Sequence, residues 1–375
     1  MLEADLPGLT TRILWASFGL AAVFGAIAQR THFCTMGAVA DIVNMGDWAR
    51  MRAWVLAMGV AVIGFNTMVG LEWVQAGNSV YAEPRLLWLS NAVGGTLFGF
   101  GMVLASGCGS KTLVRIGGGS LKSLLVFCVL ALAAYATLRG AFSVLRVATL
   151  DRVSLQLPTG QDLPSLLAYV TSTATPTPTS IWAWALGLGV GGTMVAFALA
   201  RAEGRSFDVL LSGLGLGAVI VAVWWLSGRV GYLAEHPLTL ESSFVATNTR
   251  RMESLTFVAP IAYTVDWFIL FSDQLKVLTL GIASVAGVVV GSAAVALATG
   301  TFRWEGFAGT EDTANHIVGA LLMGVGGVTA MGCTVGQGLS GVSTLALGSF
   351  IALAGILFGA VLGLRWQIWR LERLP

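Results

Sequence analysis

Three of the four cysteines stand at the same kind of place in this sequence. Cys34 lies in QRTHFCTMGAVAD (29–41), Cys108 in SGCGSKT (106–112) and Cys333 in GVGGVTAMGCTVGQGLSG (324–341). Each closes an apolar run and begins a polar, glycine-bearing segment. Cys128, in LLVFCVLALAA, has wholly apolar neighbours and is expected to be a small packed hydrophobe. Three chemistries suit such thiols. A soft metal such as Cu(I) would take thiolates and thioethers, with His32, Cys34, Met36 and Met331 as donors. A thiolate could attack sulfane sulfur and carry a persulfide, as in a membrane sulfurtransferase or relay, although no general base is evident beside any of the three. A neutral thiol could act as a weak S–H donor to a soft, sulfur-bearing anion. No C-x-x-C pair is present, so a thioredoxin-like redox motif is not indicated.

The segments around these thiols favour an anion. A helix that begins inside the protein presents free N–H groups and a partial positive charge at its N-terminus, and this is a site for anions. Gly107, Gly109 and Gly332 would let backbone approach a ligand without a side chain between them. Thr334, Gln337 and Ser340 could donate hydrogen bonds to an oxyanion or cap a short helix, and Ser106 and Ser110 have the same two readings. Small residues would also let neighbouring helices pack closely. Lys111-Thr112 lacks the spacing of a P-loop.

The elements that must position these groups are membrane helices. The chain of 375 residues is 56% hydrophobic and only 11% charged, with a mean hydropathy of +0.81; a soluble domain averages about 25% charged residues. A net charge of +2 implies no strongly acidic or basic partner. The hydropathy pattern predicts nine spans, near 11–29, 54–75, 87–105, 121–139, 181–200, 208–227, 276–299, 315–331 and 345–364. Two long polar connections separate them, 140–180 and 228–275. The opening MLEADLPG has no basic n-region, so the first apolar run is expected to remain as a transmembrane helix. Arg30, Arg50, Arg52, Lys111, Arg115, Lys122, Arg201, Arg205, Arg365, Arg370 and Arg373 all fall on one side, which the positive-inside rule makes cytoplasmic. The N-terminus and both long connections then face outward. Asn66 is expected to join helices and Arg30 to pair with Asp41 or anchor at the interface. Glu72 is placed near a span end, or would be a proton-coupling candidate if deeper.

The sequence also repeats itself. VGGTLFGFGMVLASGC (93–108) and VGALLMGVGGVTAMGC (318–333) match at nine of sixteen positions with a constant offset of 225 and no gap. In the expected topology the two copies run in opposite directions, an inverted repeat of the sort that places a transporter's site at the repeat interface. Repeat one covers about 11–139, a linking span and loops 140–207, and repeat two about 208–364, within a single transporter domain (1–375). Broken segments with short half-helices are expected near 30–45, 108–119 and 333–343, because irregular backbone at membrane depth must be buried in protein or line a cavity.

Together, QRTHFCTMGAVAD, SGCGSKT, SLTFVAP (254–260), FRWEGF (302–307) and LLMGVGGVTAMGCTVGQGLSG resemble the YeeE/YedE family of sulfur-transport membrane proteins over nearly the whole chain. The resemblance implies an all-α polytopic protein of the bacterial inner membrane that imports thiosulfate or a related sulfur anion, without enzymatic activity or cofactor. It implies that Cys34, Cys108 and Cys333 line the substrate path, and that a cytoplasmic TusA-like sulfur-carrier protein is a partner. Ala40 before Asp41, and Lys111 and Arg115 after the second cysteine, depart from the family pattern.

Overall fold

The computed structural model describes residues 6–172, 178–235, 240–273 and 276–372. The chain is built from helices, and among the described residues eight candidate spans are long and apolar enough to cross a membrane. Helix α1 (Leu6–Arg30) is followed by the short α2 (Thr35–Met45) and by α3 (Ala49–Gly70). Helix α4 (Trp88–Leu104) leads into the nine-residue α5 (Gly109–Gly117), and α6 (Leu121–Arg139) follows. The connection after α6 is not bare loop: it carries α7 (Ala141–Ala148) and α8 (Leu163–Ser172) before α9 (Thr179–Leu199). Helix α10 (Phe207–Trp225) ends in a π-turn, Leu226–Val230. The second long connection holds α11 (Val258–Ile269), and α12 (Leu280–Ala298), α13 (Thr310–Thr329) and α14 (Leu347–Leu371) complete the chain. Two pairs of two-residue strands clip the connections, Arg85–Leu86 to Leu155–Gln156 and Tyr232–Leu233 to Ser243–Phe244.

Eight of the nine expected spans coincide with these eight candidates. The ninth, 315–331, lies on α13, whose first turns carry Glu311, Asp312 and His316 and shorten its apolar stretch. The outward faces are apolar. Trp15 is 69% exposed, Phe207 71% and Phe358 59%, as expected of side chains that meet lipid rather than water.

The packing comes in matched pairs. Helix α1 packs along α12 and α10 along α3; α4 packs along α14 and α13 along α6; α1 meets α10, and α4 meets α13. Helix α9 lies against α3 outside this scheme. The α4–α13 crossing explains the shared glycines of the two copies. A Cβ built on Gly101 would sit 2.7 Å from the Gly319 carbonyl oxygen, and one on Gly319 would sit 2.6 Å from that of Gly101. Gly94 and Gly326 face each other in the same reciprocal way, at 2.7 and 2.6 Å. One step along, Gly99 meets backbone of Ile356 on α14, while Gly324 meets that of Leu130 on α6. Close backbone approach, with no side chain between the helices, is the reason for this part of the glycine content.

Candidate functional site

The three cysteine segments share one backbone design. Each preceding helix ends at a non-glycine residue of positive φ placed two before the cysteine: His32 (+51°), Ser106 (+56°) and Met331 (+57°). The next N–H then reaches back five residues to a helix carbonyl, Phe33 to Ala28 at 3.2 Å, Gly107 to Met102 at 2.8 Å and Gly332 to Gly327 at 2.8 Å. This is a Schellman ending, which satisfies carbonyls that the helix terminus leaves open. Glycine usually supplies the left-handed residue; here the glycines of the second and third segments come one position later.

The cysteines then start the next helical segment. Cys34 and Cys108 are extended N-cap residues of α2 and α5. The Cys34 sulfur accepts the Gly37 N–H at 3.5 Å and the Cys333 sulfur accepts the Gly336 N–H at 3.4 Å. Backbone N–H groups of Phe257 and Val335 also face Cys333. The Cys108 sulfur lies 3.2 Å from the Ser110 hydroxyl. All three are buried, at 8%, 1% and 0% exposure for Cys34, Cys108 and Cys333. Cys128, by contrast, is exposed on the outer face of α6 and packs into no core; the burial expected from its apolar neighbours is the apolarity of a lipid-facing helix.

Tertiary contacts bring the segments together. The Trp54 ring of α3 stacks on Phe33 with centroids 4.7 Å apart, and its edge approaches Gly338. Cys108 is within electrostatic range of both Cys34 and Cys333. The segment after Cys333 runs through a π-turn, Gly336–Gly341, of the sort often found at functional sites. Its far end is pinned at Ser343: the Asn66 amide donates to the Ser343 carbonyl at 3.0 Å and the Trp224 indole to the Ser343 hydroxyl at 3.0 Å. Asn66 thus joins α3 to this turn, as expected of it.

The other sequence candidates fall into two groups. Gln337 donates to the Ala330 carbonyl at 2.5 Å and Ser340 to the Leu255 carbonyl at 2.6 Å, so both hold backbone. Among the described residues the Thr334 hydroxyl, fully buried, has no hydrogen-bond partner, and nor does that of Thr35, which follows Cys34 in the same relation. A buried hydroxyl with no partner is costly unless something else meets it. Thr35 was not singled out from sequence, yet the shared Cys-Thr pair was the available signal. A Cβ on Gly107 would press on Lys111 Cγ at 3.1 Å and one on Gly332 on Gln337 Cγ at 3.0 Å, whereas Gly109 has no neighbour nearer than 3.9 Å. Asp41 pairs with Arg50 at 3.3 Å rather than with Arg30. Glu72 is exposed just beyond α3 at φ +59°, outside the core.

Two cavities approach this cluster from opposite ends of α6. Near Ser120, a cavity of about 600 Å³ is lined by Gln29, Arg30, His32, Lys111, Arg115 and Arg303, among others. Near Leu138, a cavity of about 240 Å³ reaches Met331 and Gly332 and is lined by Tyr81, Glu253, Thr256 and Tyr263. Burial pushes the Glu253 carboxyl up from its ordinary value, against hydrogen bonds from the Thr249 hydroxyl and N–H. Burial, with Cys333 and Glu253 nearby, likewise raises the Tyr81 phenol. Among the described residues, no group of three His, Cys, Asp or Glu is arranged to hold a metal ion.

A family model described as sulphur transport matches residues 30–362. The chain is similar to the thiosulfate transporter TsuA of Spirochaeta thermophila, at 26% identity over 96% of this chain and 100% of that protein. It is also similar to the thiosulfate transporter TsuA of Escherichia coli K12, at 24% identity over 90% of each chain. A probable transporter of Escherichia coli K12, YedE, is 34% identical over 30% of this chain and 27% of its own length.

Proposed function

Because the chain belongs to the sulphur-transport family, we propose that it carries thiosulfate, or a closely related sulfur-bearing anion, inward across the bacterial inner membrane. The observation that carries this reading is the threefold use of one device. Three buried thiols each begin a short helical segment between two cavities at opposite ends of α6.

A dianion entering a low-dielectric region needs compensation for its lost hydration. Backbone N–H groups at Cys34, Cys333 and the start of α5, with the positive ends of those helical segments, supply it without a fixed charge. The thiols add weak S–H donors, and the Thr35 and Thr334 hydroxyls add free ones. A path must bind loosely enough to let its ion leave, and a soft, weak donor meets that need better than a buried cation. The order Cys333, Cys108, Cys34 is supported by the two cavities, one reaching Met331 and Gly332 and the other His32.

The matched helix pairs support an inverted repeat, with about 11–139 and 208–364 as its halves and α9 outside both. The N-terminus lies outside and the C-terminus in the cytoplasm, where a TusA-like sulfur carrier receives the product. Uptake of labelled thiosulfate, set against sulfate and selenite, into cells that depend on this protein for sulfur tests the reading. Thiosulfate uptake no greater than in cells lacking the protein would rule it out.

A further inference from the structure

The cavity beside Lys111 has a property that thiol-mediated passage does not require. Arg30, Lys111, Arg115 and Arg303 line it together with a single carboxylate, Glu305. Elsewhere in the molecule six cations, Arg50, Arg52, Lys122, Arg146, Lys276 and Arg370, each pair with a carboxylate. Among the described residues, no ion pair involves any of the four cavity cations. Their positive charges converge from α1, α5 and the loop after α12 on one concave wall.

That wall is fixed in place. The Arg303 N–H donates to the Gly118 carbonyl at 3.2 Å and the Glu305 N–H to the Gly119 carbonyl at 3.2 Å; the Leu121 N–H returns to the Glu305 carbonyl at 2.9 Å. Gly119 takes φ +97° to allow this, with backbone of Arg303 where a Cβ would lie. The FRWEGF loop is therefore laced across the turn after α5. Holding like charges together around an open cavity is unfavourable without an anion to neutralise them.

We propose that this cavity is a second anion site, built for a small tetrahedral dianion such as thiosulfate or sulfate and filled from the cytoplasmic side. The identity of the transported ion rests on the function proposed above, but the site itself does not. It differs in kind from the thiol segments: fixed cations hold an ion by charge, whereas the thiols pass it on. An ion released near Cys34 would meet Lys111 first and the guanidinium groups next.

The test is calorimetric titration of the purified full chain, in phosphatidylcholine nanodiscs at low ionic strength, with sodium sulfate and then sodium thiosulfate. Binding is expected for both, weakening steeply as salt shortens the screening length. Arg30→Gln with Arg303→Gln, both on exposed side chains, is expected to weaken binding about tenfold or more, and Cys128→Ala, on the outward face of α6, to leave it intact. Should that pair fail to purify as a folded protein, Arg115→Gln alone carries the test. Sulfate binding unchanged in the charge variants overturns the proposal. A lipid headgroup shares the same chemistry, so the titration is repeated with phosphatidylglycerol in the disc. Abolition of sulfate binding by that lipid would assign the cavity to lipid instead. Absent thiosulfate uptake with sulfate binding retained would sink the transport reading and leave this site standing.

Discussion

Replacing Cys333 separates the two jobs that its sulfur performs. The side chain is fully buried and accepts the Gly336 N–H at 3.4 Å, so it caps the π-turn as well as facing the proposed path. Cys333→Ala removes the acceptor. Loss of a cap costs about 1 kcal/mol, and the void left by one sulfur resembles a lost methylene, about 0.8 kcal/mol. Together they predict a destabilisation of about 2 kcal/mol. Cys333→Ser keeps an acceptor of nearly the same size at the same place and should stay within about 1 kcal/mol of the native protein. Transport predicts a different order. A serine hydroxyl is a harder, stronger donor that a water can occupy, so both variants should lose most thiosulfate uptake per folded molecule. The assay is paired: thermal stability of the purified protein, and initial uptake normalised to folded transporter. Native uptake by Cys333→Ser alongside impaired Cys333→Ala would show that the sulfur matters only as a cap, and the thiol-path argument would fail.

Other expectations follow from the same geometry. Gly101→Val should separate α4 from α13, since even its Cβ would lie 2.7 Å from the Gly319 carbonyl oxygen; overpacking of about 1–3 kcal/mol or more should show as a lower yield of folded protein. Gly109→Ala has room for its Cβ, so the fold should survive, and a fall in uptake at native stability would mark close approach of the ion to that backbone. Burial holds the Glu253 carboxyl above its ordinary value, so it stays neutral further up the pH scale and becomes an anion at the cavity beside Met331 as pH rises. Uptake should decline through that rise, and Glu253→Gln, permanently neutral, should remove this limb of the profile; an unchanged profile in the variant refutes the assignment. Asn66→Ala leaves the buried Ser343 carbonyl without its amide partner and should lower stability by about 1–3 kcal/mol, read by thermal denaturation. Cys128→Ala and Cys128→Ser should both be tolerated, because the side chain points outward.

The sequence by itself determined the class of protein and the places where its helices stop. Apolar runs of bilayer length, interrupted by Gly-Cys and polar residues, have few alternatives when every backbone group must be satisfied without water. The gapless 225-residue offset likewise announced that 93–108 and 318–333 are equivalent, and their contacts are reciprocal. Tertiary structure alone decided how those signals are used. Most of the shared glycines serve a helix crossing, which depends on which helix lies opposite. The turns before the cysteines use His32, Ser106 and Met331 at positive φ, and of these three types only histidine is enriched in that conformation. Gln337 and Ser340 could have faced a ligand until Ala330 and Leu255 offered carbonyls within reach. Cys128 and Cys108 both follow apolar runs, yet one faces outward and the other the interior, because that depends on the rotation of a helix against neighbours distant in sequence. Arg303 and Arg30 lie 273 positions apart in the numbering. Only the folding of α12 against α1 puts their charges on the wall of one cavity.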